Sequence, residues 1–160
     1  MESNRYAPPV ANVEDGPALS PPLWNPNAAA NWCLLFSPIF GTWLHMKNWQ
    51  ALGETDKAKS ARLWLEISIF IVIGLSLIGS IPQVAWVSRF TWPISIALLI
   101  AWYFAAARPQ ARYVAQRFGA SYARKGWGEP ILWAILSCVA YVVVVFIAVT
   151  VATSVAMHMR

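Results

Sequence analysis

The last part of the chain contains an uninterrupted apolar stretch that strongly limits what it can fold into. Residues 131–157, ILWAILSCVAYVVVVFIAVTVATSVAM, include no Lys, Arg, Asp or Glu. About 20 mostly apolar residues are enough for one helix to cross a hydrocarbon core of about 30 Å. At a rise of 1.5 Å per residue this stretch would form a helix of about 40 Å, which would tilt in the membrane or project from it. The stretch therefore predicts a transmembrane helix.

Three earlier windows have the same character. Residues 90–107 carry no charged side chain, residues 63–82 carry only Glu66, and residues 28–46 carry none. Charged residues make up 12% of the chain, whereas a soluble domain has about 25%. The pattern predicts an all-α integral membrane protein, a four-helix transmembrane bundle whose membrane domain covers residues 28–160.

The first window is interrupted by Ser37-Pro38. Proline removes one helical hydrogen bond and bends the helix, although membrane helices tolerate this where a neighbour satisfies the freed group. Residues 28–46 are therefore either a kinked span or a re-entrant or interfacial segment, and the second alternative leaves three spans. Residues 1–27 are polar and rich in proline, and we expect a disordered tail. It would lie outside with four spans and in the cytoplasm with three.

Lysine and arginine are concentrated in the predicted loops 47–62 and 108–129, while the short connection 83–89 holds only Arg89. Short cytoplasmic loops of membrane proteins carry an excess of these residues. We therefore expect both basic loops in the cytoplasm and the 83–89 turn and the C-terminus outside. The net charge of +5 predicts contact with anionic lipid headgroups rather than with nucleic acid.

Tryptophan favours the membrane–water interface, and the ten tryptophans all fall at or near predicted boundaries. The predicted outer belt contains Trp24, Trp32, Trp86 and Trp92, and the predicted inner belt contains Trp43, Trp49, Trp64, Trp102, Trp127 and Trp133.

The second basic loop has an amphipathic pattern over residues 111–125, ARYVAQRFGASYARK. Such a helix is typical of a membrane-surface or partner-binding element. The predicted lipid or partner surface consists of Arg112, Arg117, Arg124 and Lys125. In the first basic loop, Gly53 is predicted to end a helix, and Thr55-Asp56 to start the next.

Candidate chemistry is sparse. Neither His45 nor His158 has a second metal ligand three or four residues away, and the sequence contains no glycine-rich phosphate loop. We expect no enzyme, no cofactor and no metal, with His45 half exposed at the inner boundary. Ionisable residues inside spans are often functional, which makes Glu66 a candidate. Its alternative role is an i, i+4 ion pair with Arg62 at the interface.

Three segments resemble a group of small uncharacterised proteins of the bacterial inner membrane. They are NRYAPPVANVED, with its Tyr-x-Pro-Pro leader, FSPIFGTWLHMKNWQALGETDKAK, with Lys-Asn-aromatic-x-Ala-Leu-Gly, and FGASYARKGWGEP. Together they cover roughly a third of the chain. The resemblance implies the compartment and the multi-pass architecture, and it implies no activity or site residues.

The functional prediction is a protein without catalytic activity that has an accessory or interaction role in the bilayer. A narrower version is an immunity-type protein that binds a membrane-active toxin through its tail and basic helix. The alternative is a small oligomeric transporter or pore that uses Glu66. Whether the chain forms a homo-oligomer stays open, as does the identity of any membrane-protein partner.

Overall fold

Three long helices run through the computed structural model, which describes residues 20–79 and 81–158. They are α3 (Thr55–Gly79), a continuous helical rod over Ser88–Phe118, and α6 (Gly128–His158), and each is long and apolar enough to cross a membrane. The prediction of an all-α, multi-pass membrane protein is confirmed.

The first apolar window forms two short helices, α1 (Pro26–Trp32) and α2 (Pro38–Ala51). The residue before a proline is disfavoured in the helical region, and Ser37 is accordingly extended, with φ 172° and ψ 166°. At 1.5 Å per residue the two helices are about 10 and 21 Å long, too short to cross. We call α1, α2 and the turn between them the hairpin. The structure therefore has three spans and this hairpin, rather than four spans.

Both ends of this hairpin lie on the same side of the molecule. The backbone N–H of Leu23 donates to Ala123 O and that of Lys125 donates to Leu23 O, both at 2.9 Å. The backbone N–H of Trp24 also donates to Asn48 Oδ1 at 3.0 Å. We call the side that bears residues 20–26, 47–57 and 112–127 the basic face.

The predicted disordered tail, residues 1–27, needs a correction at its end. Residues 1–19 lie outside the described residues. Leu23 is fully buried, and Asn25 caps α1 by accepting hydrogen bonds from the backbone N–H groups of Asn27 and Ala28. Pro26 occupies the first helical turn, where a missing N–H is tolerated. The ordered chain thus begins before residue 28.

The junction between α2 and α3 forms as predicted. Gly53 has a φ of +72°, a conformation that glycine adopts without steric cost, and α3 begins at Thr55 with Asp56 in its first turn. The helices α2 and α3 therefore run antiparallel, joined by a short turn on the basic face.

The second long helix consists of α4 (Ser88–Trp102), a π-helical segment (Tyr103–Ala107) and α5 (Arg108–Phe118). Pro109 has no N–H, and its ring would collide with the carbonyl four residues earlier in a regular α-helix. The wider π turn accommodates this proline. The predicted separate surface helix over 111–125 is instead a continuation of the span, and it ends at Gly119, whose φ is +62°.

Buried side chains concentrate around the hairpin. Phe40 and Leu44 pack with Trp24 and Ala134, whereas Met46 and Trp49 pack with the start of α3. By contrast, only Pro130 and Ala134 are buried in the whole of α6. The core therefore sits near the basic face, and the far ends of the long helices extend beyond it.

The tryptophan belts also need a correction. The ring centroids of Trp24 and Trp43 are 6.0 Å apart, and those of Trp32 and Trp127 are 6.1 Å apart. The prediction that Trp24 and Trp32 lie at the opposite boundary from Trp43 and Trp127 is wrong. That prediction assumed that residues 28–46 cross the membrane. The hairpin instead returns to the side from which it enters.

Candidate functional site

Three buried polar side chains join the hairpin to the second long helix. We call His45, Asn48 and Gln110 the polar seam, and each is at most 1% exposed. Asn48 Nδ2 donates to Trp24 O at 2.8 Å and to Gln110 Oε1 at 3.4 Å. Gln110 Nε2 in turn donates to His45 O at 2.8 Å. The seam fixes the hairpin against α5.

His45 is held between the start of α1 and the end of α4. Its Nε2 lies 3.2 Å from Pro26 O, and because that carbonyl can only accept, Nε2 carries the proton. Nδ1 is buried without a hydrogen-bond partner among the described residues. The ring meets Trp102 edge-on, with centroids 5.0 Å apart. The expectation that His45 is half exposed is wrong, because α1 covers it.

Sequence reasoning missed Asn48 and Gln110 as site residues. Asn48 stands three residues after His45, so the two share one face of α2. This spacing of polar residues inside an apolar window was the available signal. Gln110 gave no such signal, because its direction depends on the π-helical segment that ends at Ala107.

A second cluster lies beside the seam on the basic face. We call Glu54, Lys57, Tyr113 and Arg117 the acid–base cluster. Tyr113 OH donates a short hydrogen bond to Glu54 Oε1 and accepts one from Arg117 Nη1 at 2.6 Å. Lys57 Nζ lies 3.2 Å from Glu54 Oε2 and 4.1 Å from the centroid of the Tyr113 ring. The cluster ties the α2–α3 turn to α5.

The same contacts set the acidity of Glu54. The hydrogen bond from Tyr113 and then that from Lys57 lower the pKa of the Glu54 carboxyl below its usual value, since both stabilise the charged form. The carboxylate is thereby kept ionised as the acceptor that holds the turn.

Glu66 and Arg62 form the i, i+4 ion pair that was the alternative to a functional role for Glu66. Arg62 Nε donates to Glu66 Oε1 at 2.9 Å, and the side chains are 72% and 57% exposed. The pair lies along the outside of α3 rather than in an interior pathway. Surface pairs of this kind contribute about 0.5 kcal/mol.

The four residues of the predicted basic surface do not form one helical face. Arg112 and Arg117 lie on α5 and are exposed, with Arg117 engaged in the acid–base cluster. Arg124 and Lys125 follow the helix, in the segment paired with Leu23. Arg124 lies over the Tyr122 ring and Lys125 over the Trp24 ring, 4.3 Å from its centroid. The structure brings them to one side of the molecule, the basic face.

The side chains that could ligate a metal ion are scattered over residues 20–79 and 81–158. No group of three or more His, Cys, Asp or Glu side chains there could hold a metal ion. Cys33 and Cys138 are both free, Cys33 being buried beside Gly41. What the clusters can do is hold neighbouring segments together and present positive charge.

The chain matches no protein-family model, no curated protein and no solved structure. Its function is therefore inferred from its geometry, and the resemblance to a bacterial membrane group stays a prediction.

Proposed function

We propose that the chain is a non-catalytic accessory protein of the bacterial inner membrane that binds another membrane protein along α6. The observation that carries the proposal is the isolation of α6, which buries only Pro130 and Ala134 within the described chain. Large apolar side chains stand exposed along it, including Val142 at 63% and Phe146 at 71%. α6 is the span with most surface left for lipid or for another helix.

Small residues on α6 offer a surface for close helix packing. Ala148, Ala152 and Ala156 recur every four residues and are each partly exposed. Helices in membranes associate mainly through van der Waals contact, and small residues at this spacing let two backbones approach closely. We place the partner helix along this alanine face.

The test is recovery of the full-length protein from native membranes in a mild detergent, followed by native mass spectrometry. The proposal predicts one copy of the chain bound to a different membrane protein. Ala152→Phe should abolish that complex because the bulky ring separates the helices. Val151→Phe is the control, since Val151 neighbours Ala152 but lies on another face and is 57% exposed. Equal recovery with both variants, or a chain that is always alone, would refute the proposal.

An immunity-type role is a narrower version of the same proposal, with a membrane-active toxin as the partner. The exposed arginines of the basic face, Arg112 and Arg124, would then contribute to binding. Replacing both with glutamine should weaken recovery of the partner while the helix content is unchanged. If this variant recovers the partner as well as the wild type does, the basic face does not take part in toxin binding and α6 remains the contact.

The alternative, a small oligomeric transporter or pore, makes different demands on the chain. It needs several copies of the chain and a polar path through the membrane. The charged side chains furthest into α3, Arg62 and Glu66, instead pair with each other on an exposed face. A defined homo-oligomer in native mass spectrometry, together with flux through reconstituted vesicles that Glu66→Gln abolishes, would favour that function over the accessory role.

A further inference from the structure

An apolar groove opens between the hairpin, α3 and α6. Its volume is about 600 Å³, within the range of sites that hold one small ligand. The lining includes Phe40 and Trp43 from α2, Leu65 and Ile73 from α3, and Trp133 and Tyr141 from α6. The groove thus lies inside the membrane part of the protein, against two of the three spans.

The groove has a length and a direction. Leu65 and Ile73 are eight residues apart, as are Trp133 and Tyr141, so on both helices the lining extends about 12 Å along the axis. At the deep end, Ser76 Oγ and Tyr141 OH are hydrogen-bonded at 2.5 Å, which joins α3 to α6. At the other end, Trp43, Leu65 and Trp133 are the lining residues nearest to the basic face along their helices. An occupant would therefore lie along the helices with one end at that face.

The volume of the groove favours a chain over a helix. A helix is 10–12 Å across with its side chains, so a segment as long as the lining would occupy about 1000 Å³, more than the 600 Å³ of the groove. A single extended hydrocarbon chain is thinner and fits within that volume. The almost entirely apolar lining also provides few polar partners, which suits an alkyl chain.

Positive charge lies at the open end. Lys47 is one turn beyond Trp43 on the same face of α2, and it forms no ion pair within residues 20–79 and 81–158. Lys125 Nζ lies over the Trp24 ring, which in turn is 6.0 Å from the Trp43 ring. Arg62 and Glu66 form an ion pair, and the exposed Glu129 lies one turn before Trp133 on α6. Lys47 and Lys125 together with Glu129 therefore leave the opening with a net positive charge.

We propose that the groove binds one anionic phospholipid of the surrounding bilayer, with an acyl chain between α3 and α6 and the phosphate between Lys47 and Lys125. The alkyl chain is stabilised by the apolar lining. The headgroup is attracted by the two ammonium groups at the membrane surface. This lipid would fill the gap between α6 and the rest of the protein, independently of any partner on the alanine face.

The experiment uses the full chain reconstituted in vesicles of equal parts phosphatidylcholine and phosphatidylglycerol, then released for native mass spectrometry. The expected result is one retained phosphatidylglycerol per chain. Ser137→Trp places a large ring in the groove and should abolish retention. Val139→Trp is the matched control, since it adds the same ring to the same helix about 160° away, outside the lining.

A second pair of variants tests the headgroup without altering the groove. Lys47→Gln and Lys125→Gln should each lower the preference for phosphatidylglycerol over phosphatidylcholine by about fivefold. The proposal is overturned if the wild type retains no lipid, if it shows no headgroup preference, or if Ser137→Trp retains as much lipid as Val139→Trp. A lipid-free dimer that Ser137→Trp dissociates would also overturn it, by assigning the groove to a second copy.

Discussion

Trp24 and Asn48 exchange two hydrogen bonds across the opening of the hairpin. The backbone N–H of Trp24 donates to Asn48 Oδ1 at 3.0 Å, and Asn48 Nδ2 donates to Trp24 O at 2.8 Å. One amide side chain thereby pairs with both backbone groups of a residue that would otherwise be buried without partners. The pair fixes where the chain enters the hairpin relative to where it leaves.

Asn48→Ala should therefore destabilise the protein by about 3 kcal/mol, since it leaves the buried N–H and carbonyl of Trp24 unsatisfied. Equilibrium unfolding in detergent, followed by circular dichroism, measures the change. Gln50→Ala is the control, because Gln50 is on the same helix and exposed. Equal stabilities of the two variants would mean that the hydrogen bonds contribute nothing to the fold.

Gly41 of α2 lies against Cys33, the residue that follows α1. A Cβ there would be 1.7 Å from Cys33 Sγ and 3.1 Å from the Trp102 ring, so Gly41→Ala should destabilise the protein by about 2 kcal/mol. Adding Cys33→Ala should restore part of the loss by removing the sulfur atom. Thermal unfolding of the single and double variants measures both effects.

Gly74→Ala provides the matched control for that prediction. Gly74 lies inside α3, and a Cβ added there meets no atom within 4 Å. Alanine at this position should leave the stability unchanged or raise it by up to about 1 kcal/mol, because glycine is the poorer helix former. A loss at Gly74 as large as at Gly41 would mean that the contact with Cys33 does not explain the loss at Gly41.

The acid–base cluster predicts a contribution to stability that depends on pH. The pKa of Glu54 is lowered in the folded protein from its ordinary value of 4.5, so its contribution is complete above pH 4.5. It is lost as the pH falls below that value through the lowered pKa. Acid unfolding profiles of the wild type and Tyr113→Phe measure it.

Tyr113→Phe removes the first cause of the lowered pKa, so the difference between the two profiles should shrink as the carboxylate becomes protonated. Tyr122→Phe, outside the cluster, should follow the wild type throughout. Parallel profiles of Tyr113→Phe and the wild type across this range would show that the hydrogen bond to Glu54 does not stabilise the fold.

The hairpin predicts where labels become accessible. Cysteines introduced at Ser20 and Ala120 should react with a membrane-impermeant maleimide from the same side of the membrane, and one at Gln83 should react from the other side. The reason is that residues 23–24 pair with residues 123–126, whereas the turn at Pro82–Val87 lies at the far end of α3. Labelling of Ser20→Cys and Gln83→Cys from the same side would instead support the four-span arrangement.

The long apolar windows were sufficient to predict the helical membrane fold, because hydrocarbon length and backbone hydrogen bonding leave few alternatives. The turn at Gly53 and the helix start at Thr55 were also predictable, since both depend on local conformation. The hairpin was only one of two open alternatives. What decides it is the pairing of Leu23 with residues 123–125, a contact across about 100 residues that no local pattern encodes.

The candidate site was less predictable for the same reason. Arg62 and Glu66 stand one turn apart, and their ion pair follows from spacing alone. Gln110 reaches His45 O and Asn48 only because a π-helical segment precedes it and because the hairpin folds back. Polar residues of this kind acquire their partners from tertiary structure, so their roles could not be inferred one segment at a time.

The hairpin also gives the protein unequal width across the membrane. Near the basic face its cross-section contains α1 and α2 beside the three long helices, while at the opposite surface only the long helices remain. Each additional helix is about 10 Å across, so the molecule is shaped like a wedge that displaces more lipid from one leaflet than from the other. We expect such a wedge to fit best where that leaflet is expanded, which makes the curvature of the membrane a factor in where the protein is most stable.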